Sequence, residues 1–179
     1  MDIQTLTQQL DDLSQSPPFE KWNPPFCGDL DMVIKSDGRW FYMGSPIGRI
    51  KLVKLFASVL VKEDNEYFLK TPAEKVRIQV EDAPFMITEW QHQDTEQGPA
   101  IVVTTNLGQS IVLGEQHPLI NNTGTAPDAE PKLYVELHRG LTARVHRNVF
   151  YQWAEIATST EIDQTERFYI ESAGKIFLL

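Results

Sequence analysis

Apolar residues recur along this chain with two periods, and the points where the period changes outline its elements. Ile3, Leu6, Leu10 and Leu13 share one helical face behind Asp2, which predicts a short amphipathic helix over residues 2–14. The clusters Ser16-Pro17-Pro18-Phe19 and Trp22-Asn23-Pro24-Pro25-Phe26 force an extended path whose rings can pin it to a core. Residues 31–35 and 40–43 then flank Ser36-Asp37-Gly38, a strong hairpin signal. Ser45 and Pro46 suit an N-cap and a first helical position, and Leu52, Val53, Phe56, Val59 and Leu60 follow at helical spacing, so a helix is predicted to open there. Beyond Lys62-Glu63-Asp64-Asn65 the period falls to two. Tyr67-Phe68-Leu69 leads through Thr71-Pro72-Ala73 to Val76, Ile78 and Val80, which alternate with Lys75, Arg77 and Gln79. Further strands are predicted at 85–90, 100–105 and 110–113, and residues 121–131 form a polar loop.

The last third replays the first. Residues 134–137 and 141–145 flank His138-Arg139-Gly140, a helix follows over about 148–157, and a hairpin runs to Leu179. Gly38 matches Gly140, Arg49 matches Arg147 near a helix entry, and Lys75 and Lys175 lie beyond comparable turns. The expected architecture is therefore α+β, mostly antiparallel, with an internal duplication of a hairpin–helix–hairpin unit. Three segments are expected: 1–28, the N-terminal helix and proline-rich stretch; 29–85, the first repeat; and 86–179, the second. A cleft between two such copies would be a natural ligand site.

Composition narrows the function classes. The 179 residues suffice for a sizeable core without staples, and Cys27 is the lone cysteine, so neither an intramolecular disulfide nor a cysteine-pair zinc site can form. No apolar run approaches a membrane span, and residues 1–5 lack the features of a secretory signal, so a cytoplasmic location is expected and a membrane association is not. Sixteen Lys plus Arg against 25 Asp plus Glu give a net charge of -9. Without a basic arm, DNA is not an expected partner.

Motifs for chemistry are sparse. There is no dinucleotide fingerprint or phosphate loop, and Gly44-Ser45-Pro46-Ile47-Gly48 departs from a hydrolase elbow because a proline follows the serine. His92, His117, His138 and His146 have no metal-ligand spacing, so neither a metal nor another cofactor is expected. His138 and His146 read as exposed or capping residues; His117, at a strand end, is the histidine carried forward. Glu81-Asp82 before Ala83-Pro84 reads better as a turn than as an acid–base pair. The cations are more informative. Arg139, Arg144 and Arg147 gather in the second copy, with Arg49 and Lys75 at comparable places in the first, a set suited to an anionic small molecule.

Four stretches in order carry a resemblance: Trp40 through Arg49, Leu69 through Lys75, Val80 through Phe85, and Gly114 through Leu119. Together they resemble the bacterial domain-of-unknown-function family 1285. The resemblance implies a duplicated α+β core, a C-terminal half similar to pleckstrin-homology-like folds, and a groove between the halves for a nucleotide-like ligand in signal transduction. Arg49, Thr71, Lys75, Asp82, His117 and Arg144 are the groove residues it suggests, and it supplies no catalytic residue. A cytoplasmic ligand-binding module is thus the leading expectation. A protein-interaction module is the alternative; an enzyme acting on a phosphorylated or carboxylated metabolite, through His117 and Asp82, ranks below both.

Overall fold

The computed structural model describes residues 19–96, 98–122, 132–162 and 165–179. The helix expected over 2–14 and nearly all of the loop expected over 121–131 lie outside them. The chain divides into two compact units: the first spans residues up to Pro84 together with Arg139–Leu141, and the second spans Phe85–His138 and Thr142–Leu179.

The described part of the first unit holds a six-stranded sheet and an α-helix. Its elements are β1 (Phe26–Ile34), β2 (Trp40–Tyr42), β3 (Ser45–Pro46), α1 (Ile50–Ser58), β4 (Leu60–Glu63), β5 (Glu66–Lys70) and β6 (Lys75–Val80). The strand order is β3-β2-β1-β6-β5-β4, with β1 parallel to β6 and the other neighbours antiparallel. The hairpin signal at Ser36-Asp37-Gly38 is realised: Lys35 N–H donates to Arg39 O at 2.9 Å, and the Asp37 carboxylate accepts from Arg39 N–H at 3.0 Å.

The start of the helix differs from expectation. Ser45 and Pro46 form β3, paired with Tyr42 and Phe41, and α1 begins at Ile50 behind Arg49, which supplies no side-chain cap. Met43 and Gly44 both take positive φ, 47° and 74°, so the chain reverses in a tight two-residue turn and Pro46 continues a strand at the sheet edge, where a missing N–H costs nothing. The helix also ends at Ser58, so Leu60, which fits the helical period, belongs to β4. Val53, Phe56 and Ala57 are its buried face, and Phe56 stacks with Trp40 at 6.5 Å between ring centres.

The second unit contains β7 (Phe85–Thr95), β8 (Gly98–Thr105), β9 (Ser110–Val112), β10 (Leu119–Asn121), β11 (Leu133–Glu136), β12 (Thr142–Val145), α2 (Arg147–Ile156), β13 (Thr158–Ile162), β14 (Thr165–Ser172) and β15 (Lys175–Leu178). One sheet runs β10-β11-β12-β7-β8-β9 and a second runs β13-β14-β15. The core holds Ile87, Ile101, Val103, Leu113, Val135, Ala143, Val149, Trp153, Ile170 and Phe177. The two sheets of this unit are joined through Ser172, which is fully buried: its Oγ donates to Leu113 O at 2.7 Å and accepts from Ile101 N–H at 2.8 Å.

Each unit has a strand pair, a helix and then three strands, but the first inserts β3 before its helix and the pairings differ. In the first unit the strands after the helix join the sheet of the hairpin; in the second they form the separate three-stranded sheet. Among the described residues, no helix is long and apolar enough to cross a membrane.

Candidate functional site

In the first unit, alternation along β6 sends Val76 and Ile78 inward and Lys75, Arg77 and Gln79 to the other face. Phe68 lies opposite Arg77 and so shares that face, buried beneath Phe26 and the Lys75 ammonium, 4.7 Å from the ring centre. The charges on this face are mutually satisfied. Glu63 accepts from Lys75 at 2.8 Å and from Lys70 at 3.2 Å, and these contacts hold its carboxyl below the usual carboxylate range. Arg77 grips Asp29 through Nε at 2.7 Å and Nη2 at 3.0 Å, and Glu66 through Nη1 at 2.6 Å. A concavity of about 550 Å³ adjoins this network, lined by Asp29, Glu66, Tyr67, Arg77 and Gln79 among others. Its one guanidinium is already held by two carboxylates.

Several of the expected site residues have structural partners in the same unit. Thr71 is fully buried, and its Oγ1 accepts from Glu74 N–H at 3.1 Å and Ala73 N–H at 3.3 Å, which closes the β5–β6 turn. Glu81 accepts from Lys35 Nζ at 2.7 Å and Ser36 N–H at 3.0 Å, so it fastens the β1–β2 hairpin loop. Asp82 follows it at the end of the unit, where its charge adds to burial in raising the Tyr67 hydroxyl above its ordinary value. Arg139 adopts φ 63° and donates from Nη1 to Ser58 O, the last carbonyl of α1, at 2.6 Å, with its guanidinium 4.3 Å from the Phe19 ring centre. A cation at a helix C-terminus meets the negative end of the helix dipole, so Arg139 caps α1, and burial pushes its ionisation below the usual arginine range. Arg49 is exposed at the entry to α1.

In the second unit, Arg147 is exposed at the first position of α2, and Arg144 is half-buried on β12. His146 caps α2: its Nδ1 accepts from Asn148 N–H at 3.2 Å.

His117 stands apart. It lines a cavity of about 720 Å³ with His138, Lys175, Glu115, Gln109 and Gln116, all within the second unit. The antiparallel register of β10 and β11, with Leu119 opposite Val135, brings residue 117 level with the end of β11. There His117 Nδ1 lies 2.9 Å from Glu136 O. A carbonyl can only accept, so Nδ1 carries the proton and Nε2 is the nitrogen left to address a ligand. The His138 ring stands edge-on to His117, 4.7 Å between centres at 76°. Lys175 enters from the β14–β15 turn, where Ser172 pairs with Lys175, and its ammonium lies 3.3 Å from the exposed Glu115 carboxylate. In this polar hollow the Lys175 ammonium can donate to an anion, and the imidazoles can do so when protonated. Among the described residues, no group of three or more metal-ligating side chains is assembled.

His138 and Lys175 were not expected here. His138 follows a strand end like many exposed histidines, and Lys175 registers only as a counterpart of Lys75, so neither carries a local signal.

Comparisons with known proteins are consistent along the whole described chain. A family model described as "Domain of unknown function (DUF1285), N-terminal domain" matches residues 17–83, and one described as "Protein of unknown function (DUF1285), C-terminal domain" matches residues 84–179. The crystal structure of a DUF1285 family protein from Silicibacter pomeroyi DSS-3 is similar at 37% identity and a TM-score of 0.83, over 97% of this chain and 93% of that one. A DUF1285 family protein from Shewanella baltica OS155 is similar at 33% identity and a TM-score of 0.55, over 70% of this chain and 91% of that one. No curated protein matches the chain.

Proposed function

Because the chain belongs to the DUF1285 family, which brings a fold but no assigned activity, we propose that it is a binding module for an anionic small molecule, with its site in the second unit's cavity. The observation that carries this reading is the convergence of His117, His138 and Lys175 on one hollow of about 720 Å³, in the size range of small-molecule sites. The reading keeps the anionic ligand expected from the sequence and moves its anchor from the arginines to the histidines. Arg139 is committed to α1, Lys75 to Glu63 and Thr71 to its own turn. The reading of the halves as copies of one unit draws on the similar order of elements in each, and the pleckstrin-homology-like reading of the second draws on the family resemblance alone. Binding without turnover is favoured because, among the described residues, neither an activated nucleophile nor a metal set accompanies the histidines.

The test is a thermal-shift titration with phosphate and citrate on the native chain and on His117→Gln and Lys175→Met. Saturating ligand at 100 times its dissociation constant stabilises by about 2.7 kcal/mol. A shift in the native chain that both variants lose supports the proposal, and an equal shift in all three proteins refutes this location.

A second reading, a protein-interaction module, rests on the outer face of the three-stranded sheet. Ile176 and Leu178 are 63% and 43% exposed there, with Tyr169 paired to Leu178. Sedimentation at increasing concentration, with Ile176→Lys as control, tests whether that face joins copies of the chain.

A further inference from the structure

Resting on the reading of this cavity as an anion site, we infer that its ligand is a phosphorylated polyhydroxy compound of the sugar-phosphate class, with the phosphate at the histidine end and the hydroxyls along the glutamine wall. Both halves of that statement follow from the lining.

The histidine end suits a phosphate better than a carboxylate. His117 presents Nε2 because Nδ1 is spent on Glu136 O, His138 stands 4.7 Å away ring to ring, and Lys175 reaches in from a different turn. These are three separate nitrogen groups on three separate pieces of chain: Lys175 donates as an ammonium, and with Nδ1 given to Glu136 O the His117 Nε2 donates to an anion when the ring is protonated. A phosphate monoester offers three terminal oxygens in a tetrahedral fan, one toward each of the three nitrogen groups, and carries more charge than a single carboxylate. A carboxylate presents two oxygens in one plane and a single charge, a poorer match to groups that converge from three separate pieces of chain. The charges facing the pair are few. Glu115 lies beside Lys175 at 3.3 Å with its side chain 83% exposed, and Glu136 contributes its carbonyl to His117. An exposed ion pair of that kind exchanges readily, so a phosphate can take Lys175 from Glu115.

The rest of the lining points away from a nucleobase. Gln109, Ser110 and Gln116 each carry both a donor and an acceptor, the same pairing that a sugar hydroxyl presents. The apolar contributions come from Ile111, Val112 and Ala173, and none of the lining residues is Phe, Tyr or Trp. Sequence-tolerant recognition of a base depends on stacking against such rings. Hydroxyl recognition requires only hydrogen bonds, which this wall provides.

Isothermal titration calorimetry on the full chain distinguishes the possibilities, using ribose 5-phosphate, adenosine 5′-monophosphate, inorganic phosphate and citrate as probes. Ribose 5-phosphate should bind at least ten-fold more tightly than inorganic phosphate or citrate, and adenosine 5′-monophosphate no more tightly than ribose 5-phosphate. His138→Gln should weaken every phosphate at least ten-fold, whereas Gln109→Leu with Gln116→Leu should abolish the advantage of ribose 5-phosphate and leave inorganic phosphate unchanged. Lys175→Met provides a second charge-end variant should a histidine substitution disturb folding. If adenosine 5′-monophosphate or citrate binds ten-fold more tightly than ribose 5-phosphate and loses affinity in His138→Gln, the sugar-phosphate assignment is wrong while the anion site stands. If no probe binds, or all bind unaffected by these substitutions, both are wrong.

Discussion

Replacing Ser172 by alanine removes a single oxygen from the interior of the second unit and leaves two backbone groups without a partner. The Ser172 hydroxyl is fully buried between the two sheets, accepting from Ile101 N–H at 2.8 Å and donating to Leu113 O at 2.7 Å. The alanine methyl fills nearly the same space, so the cost comes almost entirely from hydrogen bonding. A buried group deprived of its partner costs roughly 1–3 kcal/mol. With two such groups, we expect Ser172→Ala to destabilise by about 2–4 kcal/mol, a large share of the roughly 5–15 kcal/mol that holds a typical domain folded. The β8–β9 ladder survives, because Leu113 N–H still donates to Ile101 O at 2.9 Å, so unfolding should stay cooperative. Urea denaturation at 25 °C, followed by tryptophan fluorescence, measures the loss as a lower midpoint at unchanged slope. Ser159→Ala, at an exposed position on β13, is the control and should stay within about 0.5 kcal/mol. A loss below about 0.5 kcal/mol for Ser172→Ala would show that the two sheets are not joined through this hydroxyl. Since Ala173 and Lys175 line the cavity immediately after Ser172, the same variant should also weaken anion binding.

Other expectations follow from the first unit. Glu63 has a folded-state pKa below its unfolded value near 4.5, held there first by the Lys75 hydrogen bond. Its contribution is therefore fully present above pH 4.5 and is lost as pH falls through the folded value, so Glu63→Gln should flatten the acid limb of the stability profile below pH 4.5. An acid limb unchanged in that variant would assign the transition to other carboxylates. Gly140 takes φ 70°, and a Cβ there would stand 3.1 Å from Lys62 O; Gly140→Ala should cost about 1–2 kcal/mol by chemical denaturation. Arg139→Met preserves an aliphatic contact with Phe19 but leaves the Ser58 carbonyl without its donor, with an expected loss of about 1 kcal/mol and faster hydrogen exchange in the last turn of α1.

Local chemistry made much of the architecture legible. Lys75, Arg77 and Gln79 alternating with Val76 and Ile78 announced β6 and its two faces, and Asp37-Gly38 announced the first hairpin. Where the reading slipped, two local signals competed. Ser45-Pro46 carries N-cap chemistry, but the Met43-Gly44 turn immediately before it fixes the residues as a strand, and the turn prevails because it is closed by pairing with β2. Leu60 fits the period of α1 equally well, yet its pairing with Leu69 draws it into β4.

The candidate site was legible only in its first residue. His117 was distinguishable from sequence because it precedes a strand; His138, 21 positions later, and Lys175 join it through strand register. The arginines that looked most like ligands found other work: Arg139 is consumed by the end of α1, a partner 81 residues away. Hydrophobic period and turn residues are properties of a few neighbouring positions, so the sequence by itself determined most strands and the bodies of both described helices, with their inward faces, but not the ends of α1. Which polar side chains share a cavity depends on long-range pairing, Leu119 with Val135 and Ser172 with both Ile101 and Leu113, and only the tertiary structure decided that.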